Sequence, residues 1–358
     1  MNASSICNLF WAGLLAIGVC GGANAQGYAG LGTTAEGFAV PQPNTPLRFP
    51  QDHAAHPEYR IEWWYLTANL TGVDGQDYGI QWTLFRSALR PGSQDQENDA
   101  NIWSNSQIWM GHAGLTTAEA HYFDERLSRG GLGIAGVEAA PFRAFIDDWH
   151  MTGTSEEIDQ IQLFARGDAF AYDLSLIADG PLVLQGNQGY SVKSAQGQAS
   201  YYYSQPHYRI RGTLQLPEGP VEVTGDGWLD REWSSQPLAE DQSGWDWFSL
   251  RFDDGTKMMG FQLRGTDIFT SGTWIAADGS ATPLEPGVLT TTALSTTQVE
   301  GRDVPTRWRL QLPERDLDIT VEAMNANAWM GASFPYWEGP VRVSGSATGI
   351  GYLEMTGY

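Results

Sequence analysis

Cysteine is almost missing from this chain. Of its 358 residues only Cys7 and Cys20 are cysteines, and both lie ahead of residue 26. Once that leader is removed, no disulfide, thiol nucleophile or thiolate metal site can form, so stability must come from packing. Positive charge is scarce as well. Twenty Lys and Arg stand against 42 Asp and Glu, for a net charge of -22. Such a balance argues against a nucleic-acid partner and against docking on an anionic membrane surface. Histidine is sparse: His53, His56, His112, His121, His150 and His207 include no His-x-His pair. We therefore expect no metal site. Gly-x-Ser-x-Gly and phosphate-loop motifs are absent too, and no cofactor is expected.

Long apolar runs are missing after the N-terminus. Leu9–Val19 is the one such stretch, too short to span a bilayer. It precedes Ala23-Asn-Ala25, a small-x-small cleavage pattern. Residues 1–25 thus read as a signal peptide, although no Lys or Arg stands before the apolar stretch. Cleavage would leave a periplasmic or secreted protein without membrane insertion. Residues 26–51 are rich in Gly, Pro, Thr and Gln and read as an extended lead-in.

From Tyr59 onward the pattern is that of strands. Leu174-Ser-Leu-Ile177, Trp308-Arg-Leu-Gln-Leu312 and Leu317-Asp-Ile-Thr-Val321 alternate or are rich in β-formers. Asp74-Gly75, Asp179-Gly180, Asp254-Gly255 and Asp278-Gly279 are tight-turn signals. One stretch reads as a helix: Thr116 and Glu119 could form a capping box, Phe123 and Leu127 share a face, and Gly130 could end it. Many short strands with almost no helix predict an all-β sandwich or barrel.

Glu218-Gly-Pro-Val-Glu-Val-Thr-Gly225 precedes Gly227-Trp-Leu-Asp230, and Glu338-Gly-Pro-Val-Arg-Val-Ser-Gly345 precedes Gly351-Tyr-Leu-Glu354. Each pair of blocks reads as a hairpin that closes a β-domain. The repeat predicts two domains of one ancestry, 52–235 and 236–358, meeting within Ser234–Gly244. It also predicts carboxyl groups at one equivalent position, Asp230 and Glu354.

Chemistry is densest at Trp228-Leu-Asp-Arg-Glu-Trp233. On a strand, Trp228, Asp230 and Glu232 share one face and Arg231 takes the other. A carboxyl beside an indole in an apolar pocket is held protonated, which makes Asp230 a candidate general acid. The competing reading is an ion pair of Asp230 or Glu232 with Arg231 or Arg251. In Glu62-Trp-Trp-Tyr65, Trp64 suits a plug for a barrel's closed end or a ligand contact. In Tyr201-Tyr-Tyr-Ser204, Tyr201 and Tyr203 face one way and could line a ligand or fill the core. In Trp245-Asp-Trp247, Asp246 alternates away from the indoles. The chain's 15 Trp, 14 Tyr and 14 Phe suit a barrel core or the lining of an apolar site.

Together these motifs resemble the carotenoid 1,2-hydratases and the AttH-like exported proteins. The resemblance rests on His56-Pro-Glu-Tyr-Arg-Ile-Glu-Trp-Trp-Tyr65, Val183-Leu-Gln-Gly186, Gly189-Tyr-Ser191, Tyr201-Tyr-Tyr-Ser204, Trp228-Leu-Asp-Arg-Glu-Trp-Ser-Ser235, Gly244-Trp-Asp-Trp247 and Tyr336-Trp-Glu-Gly339. It implies two tandem lipocalin-like antiparallel β-barrels. It also implies Asp230 as the acid that protonates an isolated alkene, assisted by the region of Tyr201 and Tyr203; with Trp228, Glu232 and Trp64 these are the candidates around an isoprenoid or lipid-like ligand. The chain departs from the hydratases in having no histidine at 201–203 and in carrying Arg231-Glu232 after the aspartate, and the AttH-like branch is nearer. Two other roles stay open. One is a non-catalytic carrier of a hydrophobic molecule, serving an export transporter. The other is a carbohydrate-active protein using Asp230 and Glu232, which lie too close on one strand for that chemistry.

Overall fold

A computed structural model describes residue 31 and residues 34–92 and 105–358. The expected signal peptide, both cysteines and part of the expected lead-in lie outside the described residues. Two antiparallel sheets, each curled into a barrel, account for nearly all regular structure.

The first sheet contains β1 (Ile61–Gly72), β2 (Asp77–Ala88), β3 (Gln107–Thr116), β4 (His121–Arg129), β5 (Ala135–Ala139), β6 (Phe142–Ile146) and β7 (Trp149–Gly153). It continues through β8 (Gln160–Arg166), β9 (Ala171–Ala178), β10 (Val183–Leu184), β11 (Tyr190–Val192), β12 (Ala199–Leu216) and β13 (Gly219–Ser234). The second contains β14 (Gly244–Phe252), β15 (Lys257–Arg264), β16 (Ile268–Ile275), β17 (Ala281–Leu284) and β18 (Thr290–Val299). It ends with β19 (Arg302–Leu312), β20 (Leu317–Ala323), β21 (Trp329–Met330), β22 (Tyr336–Gly345) and β23 (Gly349–Met355). Both sheets follow one plan: the first four strands run outward in order, and the last strand returns to pair with the first, β13 on β1 and β23 on β14.

Turn chemistry explains several of the hairpins. Gly75, Gly255 and Gly279 take positive φ between paired strands, a conformation that glycine adopts without steric cost. Asp179-Gly180 instead ends β9 and makes no hairpin.

Residues 116–130 correct one expectation, because they form no helix. They are the end of β3, a turn and the edge strand β4. Thr117 Oγ1 accepts the N–H groups of Glu119 and Ala120, which closes the turn. Phe123 and Leu127 do share a face, but positions i and i+4 do so in a strand as well as in a helix.

The repeat is corrected in part. Residues 219–234 are one continuous strand, whereas 336–345 and 349–355 form a hairpin. The two Val-x-Val blocks therefore occupy different strands. Their second halves are equivalent. Asp230 lies opposite Tyr65 in the first seam, and Glu354 lies opposite Trp247 in the second. Glycines fit the same register. A Cβ at Gly225 would stand 2.1 Å from the Asn69 carbonyl oxygen, and one at Gly349 would stand 2.1 Å from that of Arg251. Each seam closes only because no side chain intervenes. Gly225→Ala and Gly349→Ala should each cost about 2–3 kcal/mol by overpacking, read as a lower urea midpoint at an unchanged m-value.

Trp64, Trp82, Trp149 and Trp233 fill the first barrel together with Leu66, Ile80, Leu84 and Leu229. Phe248, Trp308, Trp337 and Leu353 do the same in the second. A third cluster, with Tyr65, Tyr202, Trp228, Trp247, Phe261 and Tyr352, draws on both sheets and joins the barrels. Burying each such aromatic stabilises by about 1.5–3 kcal/mol relative to exposure.

Candidate functional site

The lumens are packed with side chains, and the cavity lies between the barrels. Its volume is about 300 Å³. Register explains how its walls arise. Directly opposed residues in antiparallel strands share a face. One row of the first sheet therefore reads His112, Thr83, Tyr65, Asp230, Ser204, and the next reads Met110, Phe85, Trp63, Glu232, Tyr202. In the second sheet the corresponding row is Phe261, Trp247, Glu354, Glu338. These faces point out of their own barrels and toward each other. Their aromatics cross between sheets: the Tyr65 hydroxyl donates to Glu338 Oε1 at 2.5 Å, and Trp247 Nε1 donates to the Tyr202 hydroxyl at 3.1 Å.

Asp230 lines this cavity and is 2% exposed. Its carboxyl accepts bonds from Tyr202 Oη at 2.5 Å, Ser204 Oγ at 2.5 Å and Trp228 Nε1 at 2.6 Å. No cation pairs with it among the described residues. Loss of solvation on burial dominates, and it lifts the carboxyl to about 7 although all three donors favour the charged form. Ser204 Oγ also accepts from Gln185 Nε2 at 2.7 Å, so its hydroxyl stays aimed at Asp230.

The ion-pair reading of this motif applies to its neighbours. Arg231 is on the opposite face, inside the first barrel, where Nη2 donates to Glu62 Oε2 at 2.5 Å. Arg251 pairs with Asp226. Glu232 reaches the cavity but is held by Lys193 Nζ at 2.9 Å.

The other candidates divide by face. Trp228 shares the Asp230 face and orients its carboxyl from within the cluster that joins the barrels. Tyr201, Tyr203 and Trp64 face the first barrel's interior and do not line the cavity. Tyr201 Oη accepts the Gln42 N–H, Tyr203 Oη is 2.6 Å from His53 Nδ1, and Trp64 Nε1 donates to the His53 carbonyl. Asp246 turns away from the cavity as expected, and is bonded by Gln262 and Arg264. Tyr65, Tyr202, His112, Trp247 and Tyr336 line the cavity, although the sequence did not single them out as site residues. His112 Nδ1 is 2.9 Å from the Tyr336 hydroxyl, and its Nε2 is 3.1 Å from Glu125. Register was the missing signal: Tyr202 opposes Glu232 and Ser204 opposes Asp230.

The AttH-like family model matches residues 40–358. This chain belongs to the AttH-like family. An AttH protein from Nitrosomonas europaea is 31% identical over 90% of this chain and 100% of its own, with a TM-score of 0.78. Kievitone hydratase from Nectria haematococca superimposes with a TM-score of 0.67 at 14% identity, over 90% of this chain and 96% of its own. CghA with Sch210972 gives 0.52 at 12%, over 83% and 88%. The last two likenesses establish the shared fold. No curated protein matches the chain.

Burial of Asp230 gives this AttH-like chain a pH signature. Burial lifts the folded carboxyl to about 7, against 3.8 for an ordinary aspartate. Between those values the folded state holds a proton that the unfolded state has released. The group's contribution to stability is therefore greatest at low pH, falls as pH rises toward 7, and levels off above. Asparagine has no such proton. Asp230→Asn should gain roughly 2–3 kcal/mol relative to wild type between pH 5 and pH 8. Urea unfolding at the two pH values checks this, and taking variant against wild type cancels His53, His121 and His207, whose lowered values act with the opposite sign.

Proposed function

We propose that this AttH-like protein binds a small apolar alkene between its barrels and adds water to it, with Asp230 as proton donor. A carboxyl that keeps its proton near neutrality, faces an apolar cavity and has no cation on it carries this reading. The proton passes from Asp230 to one alkene carbon, leaving a carbocation at the other. The π faces of Trp63, Trp245 and Trp247 suit that cation. Water forms the new C–O bond and loses a proton, and Asp230 is later reprotonated. A fold shared with a protein named as a hydratase agrees with this chemistry.

A cavity of about 300 Å³ is at the small end for ligand sites. It favours a short isoprenoid or a compact substrate over a full-length carotenoid. The leader supports export, with Gln26 as the mature N-terminus.

Citronellol, a trisubstituted isoprenoid alkene, is a direct probe. In water labelled with heavy oxygen, the tertiary alcohol formed should carry the label, and citronellol should displace N-phenyl-1-naphthylamine from the protein. Displacement without label incorporation, for citronellol and for longer trisubstituted alkenes, would sink the hydratase reading and leave a carrier.

A further inference from the structure

Beside Glu232, which is paired with Lys193, the cavity receives a carboxyl without an ion pair from each barrel. Asp230 comes from β13 and Glu354 from β23, each the last strand of its sheet and each paired with the first. Both are oriented in the same way. Trp228 Nε1 donates to Asp230 at 2.6 Å, and Trp245 Nε1 donates to Glu354 Oε1 at 2.6 Å. Neither forms an ion pair among the described residues. Neither position is a remnant of the sheet edge, because each sits in a closed seam facing the cavity.

From this geometry we infer that Glu354 is the base that accepts the proton of the attacking water, so that the two barrels supply the two halves of one acid–base pair. The inference rests on the proposed hydration and adds its second catalytic group. Hydration draws one proton from Asp230 and releases one from water. Glu354 takes up the released proton as the C–O bond forms. That proton must return to Asp230 before the next turnover, so the cycle conserves protons.

Several charged and titratable groups face this pair. Glu232 is paired with Lys193, while Glu338 stands directly opposite Glu354 across β22 and β23. Tyr65 is the register partner of Asp230, and its hydroxyl interacts with both Glu338 and Glu354. It thus links the first seam to the two glutamates of the second. Glu338 Oε2 is buried without a partner, and burial with the nearby Glu354 charge holds this carboxyl protonated. Arg60, Lys193 and His112 line the cavity as well. Burial lifts Glu354 to about 7, and the Asp230 and Glu232 charges push it the same way. Two carboxyls so placed titrate as a coupled pair, one acid and one base near neutrality.

The test is a residue-resolved carbon-13 NMR titration of Asp230 in wild type and in Glu354→Gln. With Glu354 neutralised, the Asp230 midpoint should fall by about one pH unit. The reciprocal shift of Glu354 in Asp230→Asn gives the same answer if Glu354→Gln proves poorly folded. An Asp230 midpoint near 7 in both proteins would overturn the pairing while leaving the donor role intact. An Asp230 midpoint below 5 in wild type would overturn the donor role itself. Where citronellol turns over, Glu354→Gln should cut kcat about a hundredfold with little change in KM and remove the acid limb of the pH–rate profile. An unchanged kcat would also overturn the inference.

Discussion

Asp230→Asn should lower the rate of alkene hydration about a thousandfold while leaving the fold and the affinity for an apolar probe nearly intact. General acids of this kind contribute on the order of 10²–10⁴ in rate. The amide is nearly isosteric with the carboxyl: its oxygen can still accept from Ser204 and Trp228, and its NH2, in place of Oδ2, can donate to the Tyr202 hydroxyl. What it lacks is a proton that can move to carbon. Single-turnover kinetics would show the loss in the chemical step, and circular dichroism with N-phenyl-1-naphthylamine binding would show that the cavity persists. A rate within threefold of wild type would move the acid elsewhere. Tyr202→Phe offers a graded companion. It removes one stabilising bond to the carboxylate and the acceptor of Trp247 Nε1, so Asp230 should become a still weaker acid with its midpoint above 7.

The largest stability effect is expected from a residue remote from the cavity. Glu62→Gln should cost about 3–5 kcal/mol at neutral pH. Glu62 is fully buried at one end of the first barrel. It accepts from Arg86 Nε, from Arg231 Nη2 at 2.5 Å and from the His56 N–H at 2.9 Å. Arg231 also stacks 3.8 Å over the Trp64 ring. Burial alone would raise the Glu62 carboxyl, but the Arg231 and Arg86 guanidiniums overrule it and hold the group far below the ordinary range. Glutamine would leave two buried guanidiniums without a counter-charge. A depressed folded value stabilises above the unfolded carboxyl range and is lost as pH falls through the folded value. The gap between variant and wild type should therefore be full at pH 7 and narrow below about pH 4. Denaturant unfolding at pH 7 and pH 3.5 would measure it. A gap that widened in acid would contradict the assignment.

Much of this is legible in the sequence. Alternation and Asp-Gly turns pointed to strands. The spacing of Trp228, Asp230 and Glu232 placed them together and Arg231 apart, because strand geometry leaves no other choice. The face itself could not be read. A lipocalin-like barrel suggests a ligand in its lumen, so Trp64, Tyr201 and Tyr203 drew attention. Here the lumen is filled by those same aromatics, and the outward faces meet a second barrel. Choosing Tyr202 over its neighbours needs the β12–β13 register, which is a long-range property. The Val-x-Val repeat misled in a related way. Its blocks match in residue type but lie on non-equivalent strands, while the Gly-aromatic-Leu-acid blocks follow equivalent glycines, Gly225 against β1 and Gly349 against β14. The helix expected at 116–130 failed because Phe123 and Leu127 satisfy both periods, and pairing with β3 decided between them.

One measurement bears most directly on the central claim, that Asp230 carries a transferable proton in a cavity between two barrels. It is the infrared carboxyl band of wild type minus Asp230→Asn, followed from pH 4 to pH 9. A protonated-carboxyl band that disappears with a midpoint near 7, and that moves when an apolar ligand fills the cavity, is the predicted result. A difference spectrum already showing only carboxylate at pH 5 would contradict it.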